Sequence, residues 1–240
     1  MSSKPKAQYS WVVNGPLALL PTPLFQTGAI DQFTKVASGM ALVHNSVIRG
    51  LNSIYLQAPR VQPHDYENFI GYSLAWYELL NAHHDGEEDF LFPRIEAQVG
   101  ETGLMDANVK QHGREYKFAG QTLVDRMDSF KDVLIEHLTD EIPTILNLAQ
   151  YGDRLDMLKL MDEDGKRAMC SLSKFHGLRL FFCNDDVTYE NGMHAAFPPA
   201  PKIAKLVIMH LFTYWNPGYW KFATFDKWGM PKELHYAGPK

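Results

Sequence analysis

Residues 83 to 93, HHDGEEDFLFP, set a histidine pair one helical turn ahead of a glutamate pair, inside a stretch whose apolar residues recur at helical spacing. Ile70, Leu74, Tyr77, His84, Glu88, Leu91 and Ile95 fall three or four residues apart, so they share one helix face and turn an imidazole and a carboxylate inward. An ionised carboxylate in an apolar core is strongly unfavourable unless a cation compensates it. A metal ion does so, and a His/Glu pair at (i, i+4) sets two ligand heads on one side of a helix. His83 and Glu87 are the alternative pair, one position out of register. Their stripe carries Arg94 where the first carries Ile95, which favours His84 and Glu88.

Three further segments repeat the pattern. From about 29 to 57, Phe33, Ala37, Met40, His44, Val47, Leu51 and Ile54 form a stripe with His44 at its middle. The segment holding the opening motif runs from about 64 to 98, between Pro63 and Gly100. A third, about 104 to 130, carries Met105, Val109, His112, Tyr116, Ala119, Leu123 and Met127. The fourth, about 132 to 150, brings Leu134, His137, Glu141, Ile145 and Leu148 together, and Pro143 inside it predicts a kink or an early break.

Four amphipathic helices with short connections predict an all-α fold, an up-down-up-down four-helix bundle over residues 29–150. A proline-rich arm, 1–28, precedes it, and a mostly helical C-terminal extension, 151–240, packs on it. In that extension 151–169 reads as one helix or two short ones, 170–190 as a helix or a helix and a strand, 184–202 as a loop and 203–215 as a final helix. The order of polar residues is a twofold repeat of ligands: a lone His followed by HxxxE, twice. Such an arrangement suits two metal ions bridged by carboxylates.

The net charge of -5, with no Lys/Arg run, argues against a nucleic-acid partner. No run approaches the roughly 18 apolar residues that a membrane span requires. Prolines interrupt the N-terminal apolar stretch before it resembles a signal peptide, and Cys170 and Cys183 make no metal-spaced set, so a cytoplasmic, reduced setting is expected, with two free buried thiols or, as the alternative, one disulfide between them. No HExxH, GxSxG, P-loop or GxGxxG occurs, and the ExxH spacing of ferritin-like di-iron proteins is absent.

His44, the HHDGEE run leading into FLFP, His112, and His137 with Glu141 resemble, in order and spacing, the hemerythrin-like (HHE cation-binding) proteins over roughly residues 30 to 150. The long extension with its Trp-Lys-Phe motif is similar to that of the fungal members. The resemblance implies two iron ions (Fe2+/Fe3+) with an oxo or hydroxo bridge. His44, His84, His112 and His137 would be terminal ligands, and Glu88 and Glu141 would bridge the ions. Oxygen-carrying members place two histidines one turn apart on the third helix, whereas here Asn108 and Tyr116 flank His112. The position so vacated admits water, a substrate or dioxygen, or is taken by Glu115 or Tyr116. Two functions follow as expectations. One is an oxidase or monooxygenase that activates dioxygen on a small organic substrate beneath an aromatic C-terminal roof; the other is a non-catalytic protein that binds or senses oxygen, iron or nitric oxide.

Overall fold

The computed structural model describes residues 15–108 and 122–237, and among these the chain is helical without a β-strand, as an all-α fold requires. A short helix α1, Pro23–Thr27, is capped by the Thr22 hydroxyl, which accepts from the Phe25 amide, and closes on Gly28 in the left-handed conformation. α2, Gln32–Gln57, starts three residues later than the periodicity suggests, because the Asp31 side chain caps it by accepting from the Thr34 amide at 2.9 Å.

α2 is covered on nearly every side, and its polar residues hold what covers it. Asn45 and Asn52, seven residues apart, each bond one backbone N–H and one backbone C=O of the N-terminal arm, at Leu20 and Leu17 respectively. Their amides thus act as the missing strand for an extended segment. Further along, the Gln57 amide donates to the Phe222 carbonyl at 3.1 Å and accepts from the Tyr236 amide at 3.2 Å, which seats the C-terminal tail. One continuous core runs from Leu17 and Leu20 through all the longer helices to Trp220, Phe222 and Tyr236.

The next helix is where the sequence-based face fails. α3, Tyr66–Gly86, passes through a π-helical turn, Glu87–Leu91, into α4, Phe92–Val99, which Gly100 terminates with φ 77°. Pro93 explains the wide turn: it lacks an N–H and its ring excludes the carbonyl four residues back, and the ladder shifts to i+5, with the Phe92 amide donating to the Glu87 carbonyl. A wide turn is one extra residue in the helical count. Upstream of it the buried residues include Phe69, Tyr72, Trp76 and Leu80, while Ile70, Leu74 and Tyr77 are exposed. Running a uniform period backwards from Leu91 and Ile95 therefore selects the outer face.

A second departure concerns the segment boundaries. α5, Thr122–Asn147, crosses residues 130–132 without interruption, so the expected break between a third and a fourth helix does not exist there. Nothing between Thr122 and Pro143 is a glycine or proline, and no residue in that span stops a helix. Pro143 itself does not end α5, which continues to Asn147 and then tightens into a 3-10 stretch, Leu148–Arg154. Much of the expected third helix, with Val109, His112, Glu115, Tyr116 and Ala119, lies outside the described residues.

The extension supplies α6, Met157–Ser171, capped by Asp156, then α7, Gly177–Phe182, and α8, Lys202–Leu206. The expected final helix is broken in three, with α8 followed by a π turn, Val207–Leu211, and a 3-10 turn, Phe212–Tyr214. α2 packs chiefly on α5, α3 on α7, and α6 lies against both α2 and α3. Cys170 is exposed, Cys183 is buried, and both are free. No helix among the described residues is long and apolar enough to cross a membrane.

At the start of α3, Asp65 ties the tail down. It accepts from Lys221 Nζ, from Tyr236 Oη at 2.6 Å and from Asn68 Nδ2 at 3.2 Å. The Lys221 hydrogen bond, followed by that of Tyr236, holds its carboxyl well below the usual carboxylate range. A depressed folded-state pKa gives stability that is present above the unfolded value of about 3.9 and fades as pH falls through the folded one. Replacing Asp65 with Asn should lower Tm at pH 7 by roughly 2–4 °C. The gap between variant and wild type should narrow steadily below about pH 4 in melting curves; a gap that persists unchanged into strong acid would show that the pairing contributes nothing.

Candidate metal centre

Three helical elements converge on one buried point. His44 comes from the middle of α2, His83 and Glu87 from the junction of α3 with its π turn, and Glu141 from α5. One ligand atom from each of these four lies within 4.8 Å of all the others. His44 Nε2 stands 3.1 Å from Glu141 Oε2, His83 Nε2 stands 3.3 Å from Glu87 Oε1, and the two imidazole rings meet edge to face at 5.0 Å. Glu87 and Glu141 are both wholly buried.

His44 carries the test of whether a cation fits. Its Nδ1 donates to the Leu138 carbonyl at 2.8 Å, which fixes the proton on that nitrogen in the neutral ring and leaves the Nε2 lone pair aimed at Glu141. A lone pair facing a carboxylate oxygen is repulsive unless a proton or a cation lies between them. His44 Nε2 and both carboxylate oxygens of Glu141 are buried and make no hydrogen bond of acceptable geometry. An imidazole whose other nitrogen donates to a backbone carbonyl is the arrangement metal ligands adopt. Two imidazoles and two carboxylates suit a first-row transition metal, so the residues present fit the implied ion.

The electrostatics say the same. Burial pushes the Glu87 carboxyl well up, and the Glu141 charge pushes it further. Burial also acts to raise Glu141, but the close approach of the His44 ring, with that of His137, outweighs this and holds it down. Two carboxylates this close disfavour each other's ionised form, and positive charge between them relieves this.

Of the residues expected at the site, His44 and Glu141 are in the cluster. On the α3 segment the inward pair is His83 with Glu87; Glu88 is exposed and His84 is half-buried. The displacement is the single residue that the π turn absorbs. His84 still faces the site's edge, its ring 5.3 Å from that of the buried His137. His112, Glu115 and Tyr116 lie outside the described residues.

One group was not anticipated. Asp164, on α6, sets its Oδ1 where a Cβ on Gly86 would lie at 3.2 Å, next to Glu87 in sequence. That oxygen is buried without a hydrogen-bond partner. Burial, with the Glu141 charge adding and Arg167 opposing, pushes the carboxyl up to about 6. The signal was present in the sequence: Met157, Leu160, Met161 and Asp164 share a helical stripe, an acid at the end of an apolar row.

The chain is 32% identical over 244 residues to dimeric xanthone biosynthesis cluster protein R11 from Cryptosporiopsis sp. (strain 8999), an alignment that covers 93% of this chain and 92% of that protein. No family model matches the chain, and no solved structure gives a significant match.

Alanine variants separate the two registers. Glu87→Ala and His44→Ala should each reduce the metal bound by purified protein about tenfold or more and lower Tm, because a bound ion contributes folding free energy. Glu88→Ala should retain metal near the wild-type level. Elemental analysis of the three proteins decides the matter, and equal losses from Glu88→Ala and Glu87→Ala would refute the assignment of the inner pair.

Proposed function

The chain belongs to the same family as dimeric xanthone biosynthesis cluster protein R11, and from that membership and the buried cluster we propose that it is a hemerythrin-like, non-haem iron protein acting on dioxygen in the biosynthesis of a small organic molecule. The observation that carries this is His44, held by the Leu138 carbonyl so that its free nitrogen looks onto Glu141, opposite the pair His83 and Glu87. Iron bound there would supply one-electron redox chemistry and a coordination site for dioxygen.

The side chains of the protein do the rest. His44 and His83 offer neutral nitrogen donors, and the two glutamates offset the cationic charge in a core that water does not reach. Glu87 and Glu141 each bring a carboxylate oxygen within 4.8 Å of the other and of the two imidazoles, and would hold the ion jointly. His84 and His137, with adjoining rings, would complete the ligands of a second ion. Asp164, beside Gly86, adds a carboxyl from the extension, so the site is closed by more than the helices that provide the inner four ligands.

A second reading, in which the protein binds or senses oxygen, iron or nitric oxide without catalysis, has one observation in its favour. The cavity of about 250 Å³ in the C-terminal region is not lined by any of the four cluster residues.

Protein produced in iron-supplemented medium should retain iron, up to two ions per chain, and show iron-dependent near-ultraviolet absorbance in the oxidised form. It should consume dioxygen when supplied with a reductant, and His83→Ala should lose both properties. Zinc as the sole bound metal, with no oxygen uptake, would overturn the iron reading. Iron and a reversible spectral change on oxygenation, without net oxygen consumption, would select the binding protein over the enzyme.

A further inference from the structure

The cavity in the C-terminal region is built unlike the metal centre. Its apolar wall includes Phe182, Phe197 and Met209, with Phe182 and Met209 buried. At its mouth stands Trp228, 65% exposed but held in place. The Asp226 carboxylate accepts from the backbone amides of Trp228 at 2.7 Å and Met230 at 3.0 Å, and the His210 ring meets the indole edge to face at 4.3 Å. Gly229 adopts φ +74°, and a Cβ there would lie 3.1 Å from Val187, so the turn that presents Trp228 presses on another residue lining the cavity. An indole left in water by a turn this constrained is placed for contact with something flat.

Charge narrows the choice. The chain has a net charge of -5, yet three lysines, Lys202, Lys205 and Lys227, line this one cavity against a single acid, Asp185. Lys205 is fixed by bonds from its Nζ to the Phe197 carbonyl at 2.9 Å and the Ala196 carbonyl at 3.2 Å, and lies 5.9 Å from the Phe182 ring. Lys227 Nζ lies 5.5 Å from the Trp228 ring. Burial raises the Asp185 carboxyl to about 7, with Arg49 and Lys205 opposing, so the one acid on the wall opposes an anionic ligand less than an ordinary carboxylate would. The volume of about 250 Å³ falls just below the roughly 300–1,000 Å³ of pockets for drug-sized ligands.

We propose that this cavity binds a small, flat aromatic anion, an arene carboxylate or phenolate of two or three fused rings. The rings lie between Phe182, Phe197 and Trp228, and the anionic oxygen meets the lysines. An inorganic anion would leave the aromatic wall unused, and a cation would meet three ammonium groups. The inference goes beyond the metal reading and does not depend on it, since the cavity and the cluster share no residue.

Calorimetric titration of the full chain with 2-naphthoate, naphthalene-2-carboxamide and naphthalen-2-ylmethylammonium tests this. Naphthoate should bind about tenfold or more tightly than the carboxamide, the scale of one charge-assisted hydrogen bond. The double substitution Lys202→Glu with Lys227→Glu, both at exposed positions, should abolish that preference while leaving Tm unchanged. Trp228→Ala should weaken both ligands together. Binding of naphthoate should survive in metal-free His83→Ala protein, which separates a failure of this proposal from a failure of the metal reading. Equal affinity for naphthoate and carboxamide, preference for the ammonium compound, retention of the preference in the double variant, loss of binding in folded His83→Ala, or no binding at the solubility limit would each overturn the proposal.

Discussion

Two carboxylates, Glu87 and Glu141, sit in the dry interior within reach of each other and of two imidazoles. Such a group of acids is unfavourable in an apolar core unless positive charge is shared among them. The elements around it are arranged to deliver these side chains to one point. α2 brings His44 with its orientation fixed by α5, which contributes Glu141 three residues after the carbonyl that holds it. The wide turn after α3 brings the second pair. The proposed iron chemistry rests on this arrangement, since His44 Nε2 faces Glu141 Oε2 while its Nδ1 is committed to the Leu138 carbonyl.

α2 explains how a chain with so much material outside these helices stays in one piece. Its buried polar residues do not line a channel; they bind backbone. Asn45 and Asn52 satisfy the arm, and Gln57 satisfies the tail. Arg49, also buried, donates to the Asn184 carbonyl at 3.1 Å and lies over the rings of Tyr189 and Phe225. The extension is thus fastened by polar side chains from the same helix that supplies the first metal ligand. Disturbing the tail therefore strains the helix that positions His44.

The all-α class and the involvement of His44 and Glu141 were legible in the sequence, because each follows from a polar residue repeating on an apolar row. The inner pair was not, for a specific reason. Periodicity assumes a constant number of residues per turn, and Pro93 breaks that assumption between Glu87 and Leu91. Arg94, which weighed against His83 and Glu87, is exposed, as any residue one step off the shifted face would be. The missed helix continuity through residues 130–132 has a different origin: two apolar stripes were divided where no helix-stopping residue stood. Asp164 is legible as an acid ending an apolar row, but that row lies in the extension, and nothing in its spacing ties it to the histidines.

The π turn has one more implication. Rewinding it to an ordinary α turn with no residue removed, while keeping Leu91 and Ile95 seated, would rotate everything upstream by one position and bring His84 and Glu88 inward in place of His83 and Glu87. Because the motif doubles both residues, HH and then EE, either winding of this helix still presents an imidazole and a carboxylate to the core. A relative with the tighter winding and the same motif would align to this chain without a gap and keep a usable ligand pair, and the doubled motif is what makes that change of phase tolerable.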